Sequence, residues 1–200
     1  MKALENKNII IGVTGGIAAY KACDVINQLK KRGANINVIM TKNATKFITP
    51  LTLETLSNNL VVTDMFEDKK TWDVEHISLA QKADLILVVP ATANIIGKVA
   101  NGIADDMLST VLMATRAPIV FVPAMNNQMW ENFIVQENVK KLKDYWLKLG
   151  IPRTIFSPYY IIEPEEGMLA CGYKGKGVLA KVQNIIKFVE DYFNKDVASE

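Results

Sequence analysis

Apolar residues along the chain follow two patterns that alternate. Short continuous runs rich in β-branched residues, at Asn8 to Val13, Asn35 to Met40, Leu85 to Val89 and Ile119 to Val122, predict strands buried on both faces. Val61-Val62 predicts the start of a further short strand. Segments with helical spacing stand between them: Ile17 to Arg32 with Gly33 as its stop, Leu51 to Asn58, His76 to Ala83, Ala93 to Ala100 and Ala104 to Thr115. Asn127 to Leu149 reads as helical with a break, and Val178 to Phe193 as a closing amphipathic helix. Strand and helix in alternation predict an α/β fold, a parallel sheet with helices on both faces. Ligands in such folds bind at the carboxyl ends of the strands.

The length, 200 residues, suits one domain with a sizeable core. The formal net charge is only +2. No basic stripe of the kind that binds nucleic acid is visible. Lys30-Lys31-Arg32 and Lys140-Lys141 read as solvated helix faces. The N-terminus passes from Lys2 to Lys7 straight into an apolar run too short to cross a bilayer, and no secretory signal is visible. The two cysteines, Cys23 and Cys171, show neither metal-ligand spacing nor a disulfide framework, so a reducing cytoplasm is the expected setting.

Candidate chemistry sits in the punctuation after the strands. In Gly12-Val13-Thr14-Gly15-Gly16-Ile17, a strand enters a glycine turn before a helix start, a place where backbone N–H groups accept an anion. The spacing is neither that of a dinucleotide fingerprint nor that of a P-loop. A tight turn packed for structural reasons would look the same. After the second strand, Thr41 could hydrogen-bond a phosphate or simply cap a turn, and Phe47 could flank a ring. Pro90-Ala91-Thr92-Ala93-Asn94 and Pro123-Ala124-Met125-Asn126 echo each other as polar exits from adjacent apolar strands. Thr92 and Asn94 suit an amphipathic planar ligand, or Thr92 caps the next helix. The Asn126 amide suits a carboxylate, whereas Met125, Met129 and Trp130 also fit core packing. His76, the single histidine, is either a general base or a surface residue. Cys171 lies in a glycine-rich, mobile-looking loop at about 163–178, beside lysines that favour its thiolate. It is an acid, a nucleophile or an incidental thiol, and Cys23 reads as core.

Taken in order, GVTGGIAAYK, a lone histidine before a helix, PATAN, PAMNNQMW and LACGYKGKG resemble the phosphopantothenoylcysteine decarboxylases. These belong to the homo-oligomeric flavin-containing cysteine decarboxylases. The resemblance runs from about Ile9 to Lys181 and implies a single Rossmann-like, flavodoxin-type domain across residues 1–200 with bound FMN. It places Gly15, Gly16, Ile17, Thr41, Phe47, Thr92, Ala93, Asn94 and Ala124 at the cofactor. It makes His76 the catalytic base, Asn126 the carboxylate ligand and Cys171 the proton donor, with Met125 and Ala170 beside the substrate. It implies sites formed where subunits meet, in trimers or assemblies of trimers.

The implied reaction follows from the substrate's chemistry. An α-amido carboxylate has no electron sink, so flavin first oxidises the cysteinyl CH2–SH to a thioaldehyde, which stabilises the carbanion left by CO2. The resulting enethiol is reduced by returned hydride and a proton from Cys171, giving 4'-phosphopantetheine from 4'-phosphopantothenoylcysteine with no net redox change. The alternatives within the resemblance are a peptidyl-cysteine decarboxylase and a non-catalytic FMN-binding regulatory subunit. Two features depart from the family: Trp146 to Tyr160 is a longer crossing than usual, and Met168 and Val178 stand where arginine is common.

Overall fold

The structure, a computed structural model, describes residues 4–65, 75–149 and 159–197. Strands run at Asn8–Val13 (β1), Asn35–Met40 (β2), Val61–Val62 (β3), Leu85–Ala91 (β4), Ile119–Pro123 (β5), Tyr159–Ile161 (β6), Glu165–Met168 (β7) and Lys174–Val178 (β8). Helices run at Ala22–Lys31 (α1), Pro50–Ser57 (α2), Glu75–Lys82 (α3), Ala93–Ala100 (α4), Met107–Ala114 (α5), Asn127–Glu131 (α6), Phe133–Leu149 (α7) and Val182–Val197 (α8).

Strands β1 to β6 form one parallel sheet in the order β3-β2-β1-β4-β5-β6. The direction of winding reverses between β1 and β4, the switch point where a doubly wound sheet opens a crevice. The continuous apolar runs have a simple cause. Ile9, Ile11 and Val13 of β1 and Leu85, Leu87 and Val89 of β4 pack with α1, α2 and α8 on one face. The alternate residues, Ile10, Ile86 and Val88, pack with α3, α4 and α5 on the other. Each strand side chain meets a helix whichever way it points, so no polar alternation survives. Helix α1 buries Ala22, Val25, Ile26 and Leu29, the spacing of one helical face.

The expected Rossmann-like sheet is the one found, with local differences. The first five residues after the glycine turn, Ile17–Lys21, form a 3-10 turn before α1 begins. Helix α5 starts at Met107 because Asp106 caps it, accepting from the Ser109 N–H at 2.8 Å. The expected break in the long helix falls at Asn132, between α6 and α7. The closing helix begins at Val182 and not at Val178: residues 174–178 pair antiparallel with β7 as a hairpin. Part of the long crossing, residues 150–158, lies outside the described residues. Among the described residues no helix is long and apolar enough to cross a membrane.

Candidate active site

The exits of β1, β4 and β5 meet the hairpin β7–β8 around a cleft of about 550 Å³, a volume suited to a small-molecule site. Gly15 and Gly16 form one wall. A Cβ on Gly15 would lie 2.5 Å from Asn43 Cβ and 2.9 Å from the Asn43 carbonyl carbon, so only glycine lets this turn pack on the turn after β2. A Cβ on Gly16 would find nothing nearer than Thr92 Cγ2 at 3.9 Å. The first glycine is required by packing, and the second keeps the cleft open.

Two helix starts flank this wall. Gly16 precedes the 3-10 turn and Thr92 precedes α4, and neither is capped by its own side chain. Thr92 therefore occupies the capping position without capping, and its side chain lines the cleft. Uncapped helix starts present N–H groups to an anion.

At the far wall, the Asn126 Oδ1 accepts from the Gln128 N–H at 2.9 Å and caps α6. That bond orients the amide, because its NH2 must then face away from the helix. It donates to Cys171 Sγ at 3.4 Å. Residues 45 positions apart thus place an amide donor beside a thiol.

The hairpin that carries Cys171 is held against the β5 exit. Gly177 O accepts from the Met125 N–H at 3.0 Å. A Cβ on Gly177 would collide with the Met125 carbonyl oxygen, and one on Gly175 would lie 2.8 Å from Asn127 Cβ. These two glycines are close-approach residues. Gly172, at φ +84, makes the turn after Cys171. Cys171 is exposed, whereas Cys23 is half-buried, and burial, with Asp24 adding, pushes its thiol pKa up.

Of the residues expected at the site, Gly15, Gly16, Ile17, Thr92, Ala124, Met125, Asn126, Ala170 and Cys171 line the cleft. Thr41, Phe47, Ala93 and Asn94 are not among its lining residues. Thr41 Oγ1 accepts from the Ala44 N–H at 3.3 Å and caps the turn after β2. Phe47 closes that turn, half exposed, and Ala93 and Asn94 open α4. His76 is the second residue of α3, a helix packed on α5; its side chain lies outside the described ones. Trp130 is core, but Met129 is exposed and lines the cleft.

Two residues escaped the sequence reading. Lys21 is the charged residue among the cleft's described lining, and it ends the same glycine-turn motif. Its place four residues after Ile17, an expected site residue on the same predicted helix, was the available signal. Thr14, buried at 2 % exposure, bridges β1 and β4 through its hydroxyl.

A doubly wound parallel sheet with a cleft at its switch point defines a Rossmann-like α/β protein of the flavodoxin type. The chain belongs to the Flavoprotein family, whose model matches residues 1–194. It is 45% identical over 196 residues to the coenzyme A biosynthesis bifunctional protein CoaBC of Bacillus subtilis, covering 98% of this chain and 45% of that protein. It thus spans about half the length of such bifunctional relatives. It is 42% identical to a probable phosphopantothenoylcysteine decarboxylase of Streptococcus mutans, over 92% of this chain and 98% of that one. Among solved structures, it resembles a PPC decarboxylase cysteine-to-serine mutant complexed with pantothenoylaminoethenethiol. That likeness has a TM-score of 0.78 and 25% identity, over 95% of this chain and all of the other.

Proposed function

We propose that this chain catalyses the FMN-dependent decarboxylation of 4'-phosphopantothenoylcysteine to 4'-phosphopantetheine. The observation that carries this reading is the contact between Asn126 Nδ2 and Cys171 Sγ. The substrate's carboxylate leaves from the α carbon of its cysteine, and the same carbon must later receive a proton. A carboxylate ligand and a proton donor therefore have to sit within a few ångströms of each other, as this amide and thiol do. The Asn126 carbonyl is committed to the helix cap, so only N–H faces the carboxylate.

The other end of the cleft fits FMN. The bare Cα of Gly16, the small Ala124 and the two uncapped helix starts leave room and N–H donors for a phosphorylated planar cofactor. Thr92, Ala93 and Asn94 at the β4 exit, with Thr41 and Phe47 after β2, would hold it. Flavin, when bound, would supply a reversible two-electron sink for the cysteinyl CH2–SH. Asn126 holds the carboxylate so that its bond to the α carbon stays oriented, with Met125 and Ala170 walling the substrate. Cys171 delivers its proton to the α carbon. Lys21 supplies a cation for a phosphate.

His76 acts as the base on α3, a helix on the sheet face opposite α1. The arrangement favours a homo-oligomer, a trimer or an assembly of trimers, in which one subunit's α3 serves a neighbour's cleft. Ile17 and Met168 line the cleft with 62% and 71% of their surface exposed, an apolar rim suited to a second copy. The free thiols Cys23 and Cys171 fit a reducing cytoplasm.

The test is CO2 release from 4'-phosphopantothenoylcysteine by the FMN-loaded protein. The wild type turns over, His76→Asn does not, and Cys171→Ser releases CO2 but accumulates the enethiol. An equimolar mixture of the two variants, reassembled, regains full product if sites are shared between subunits. Full product from Cys171→Ser alone overturns the proton-donor role, and no CO2 from the wild type overturns the reading.

A further inference from the structure

Resting on the FMN assignment above, we propose that Thr14 is a positioning residue that sets the width of the cofactor crevice. Backbone pairing between β1 and β4 ends at Gly12 and Val88. The β1–β4 ladder goes no further, and β4 shifts register against β5 between Val88 and Ala91 before pairing resumes at Ala91 and Pro123. Thr14 takes over. Its Oγ1 donates to the Pro90 carbonyl at 2.7 Å and accepts from the Thr92 N–H at 3.1 Å. The side chain continues the stitching two residues past the last backbone pair.

The consequences reach the cleft. With its proton given to Pro90 and its oxygen receiving Thr92, the Thr14 hydroxyl is committed at both ends and takes no ligand itself. The Thr92 amide is turned inward, which leaves the Thr92 side chain facing the cleft without a capping duty. The opposite wall, Gly16, is one methyl contact from that side chain, at 3.9 Å from an added Cβ to Cγ2. The gap between these walls is therefore held from Thr14, which bonds the Thr92 N–H and the Pro90 carbonyl beside it. Losing the hydroxyl strands a buried carbonyl and a part-buried amide, and the Thr92 exit swings to find other partners.

Thr14→Val keeps the shape and removes the bonds, and Thr14→Ser keeps the bonds. Flavin fluorescence titration of the apoprotein is expected to show FMN binding about tenfold weaker in Thr14→Val. The absorption band of its bound flavin shifts toward that of free FMN, and Thr14→Ser stays within about twofold of wild type in affinity. Thr14→Val binding within twofold, with a wild-type spectrum, overturns the proposal and leaves the FMN assignment standing. A wild type that binds no FMN overturns both. If Thr14→Val does not fold, amide hydrogen exchange at Thr92 in wild type and Thr14→Ser decides. Slow exchange in both supports the bond, and exchange at the rate of an open loop overturns it.

Discussion

A methyl group added at Gly15 would stand 2.5 Å from Asn43 Cβ and 2.9 Å from its carbonyl carbon. Carbon atoms prefer roughly 3.5–4.0 Å, so the overlap is on the order of 1 Å. Asn43 cannot swing aside like the tip of a long side chain. Its backbone belongs to a turn anchored by Thr41 N–H on Val13 O at 3.0 Å and Ala44 N–H on Thr41 O at 2.8 Å. The two turns must separate as units, and overpacking of this kind costs roughly 1–3 kcal/mol. In a chain of this size each kcal/mol lowers Tm by about 2–4 °C. Gly15→Ala is therefore expected to melt about 2–12 °C below wild type as the apoprotein.

Gly16→Ala is the counterpart. Its φ of −161° is extended backbone open to any residue, and its added methyl meets only Thr92 Cγ2 at 3.9 Å. Its apoprotein is expected to melt within about 2 °C of wild type. The methyl instead projects into the crevice and weakens FMN binding by about tenfold or more. Calorimetry of the apoproteins and flavin fluorescence titration separate the two effects. An unchanged Tm for Gly15→Ala together with a lowered Tm for Gly16→Ala would refute the division between a packing glycine and a clearance glycine.

Two further outcomes follow from the site and the scaffold. Asn126→Asp keeps the α6 cap, since aspartate caps as well as asparagine, but turns an oxygen toward the substrate carboxylate. Its kcat/KM is expected to fall by about two orders of magnitude with Tm nearly unchanged; wild-type kinetics would remove Asn126 from carboxylate binding. Partial burial pushes the Asp106 pKa up, but the Lys98 ammonium and the Ser109 donors outweigh it and hold the carboxyl below its ordinary value. A pKa lowered on folding stabilises the protein above the unfolded value and is lost as pH falls through the folded one. Denaturant melts of wild type should therefore lose stability below about pH 4 more steeply than those of Asp106→Asn. Parallel pH profiles would refute the role of the Lys98–Asp106 pair.

Much of the scaffold was legible because its signals are local. Four strands announced themselves as β-branched runs, since both faces of the sheet are covered and every side chain of a run is buried. The 3.6-residue period gave α1 its buried face, and the long helix expected to carry a break is interrupted at Asn132. The motifs that align the chain with its family are contiguous too, and nine of the expected site residues meet at one cleft. Strand β6 was missed because three residues hold no period. The hairpin was missed because Lys174–Val178 runs on into the closing helix without a polar break.

What the fold alone decided are the relations between distant residues. Glycines 175 and 177 look in the sequence like a mobile loop; in the fold they let the hairpin press on the Asn127 side chain and the Met125 backbone, roughly fifty residues away. Thr14 looks like any small residue before a glycine, and its two partners lie 76 and 78 positions on. The two strand exits with their similar punctuation, Pro-Ala and then Asn after one or two residues, received different neighbours, Thr14 and Gly16 for one, the cysteine hairpin for the other. Periodicity and turn chemistry are properties of a few consecutive residues, so the sequence by itself determined the strands, the helices and the polar exits. Hydrogen bonds and close approaches between exits depend on strand order and register, and those exist only once the sheet has formed.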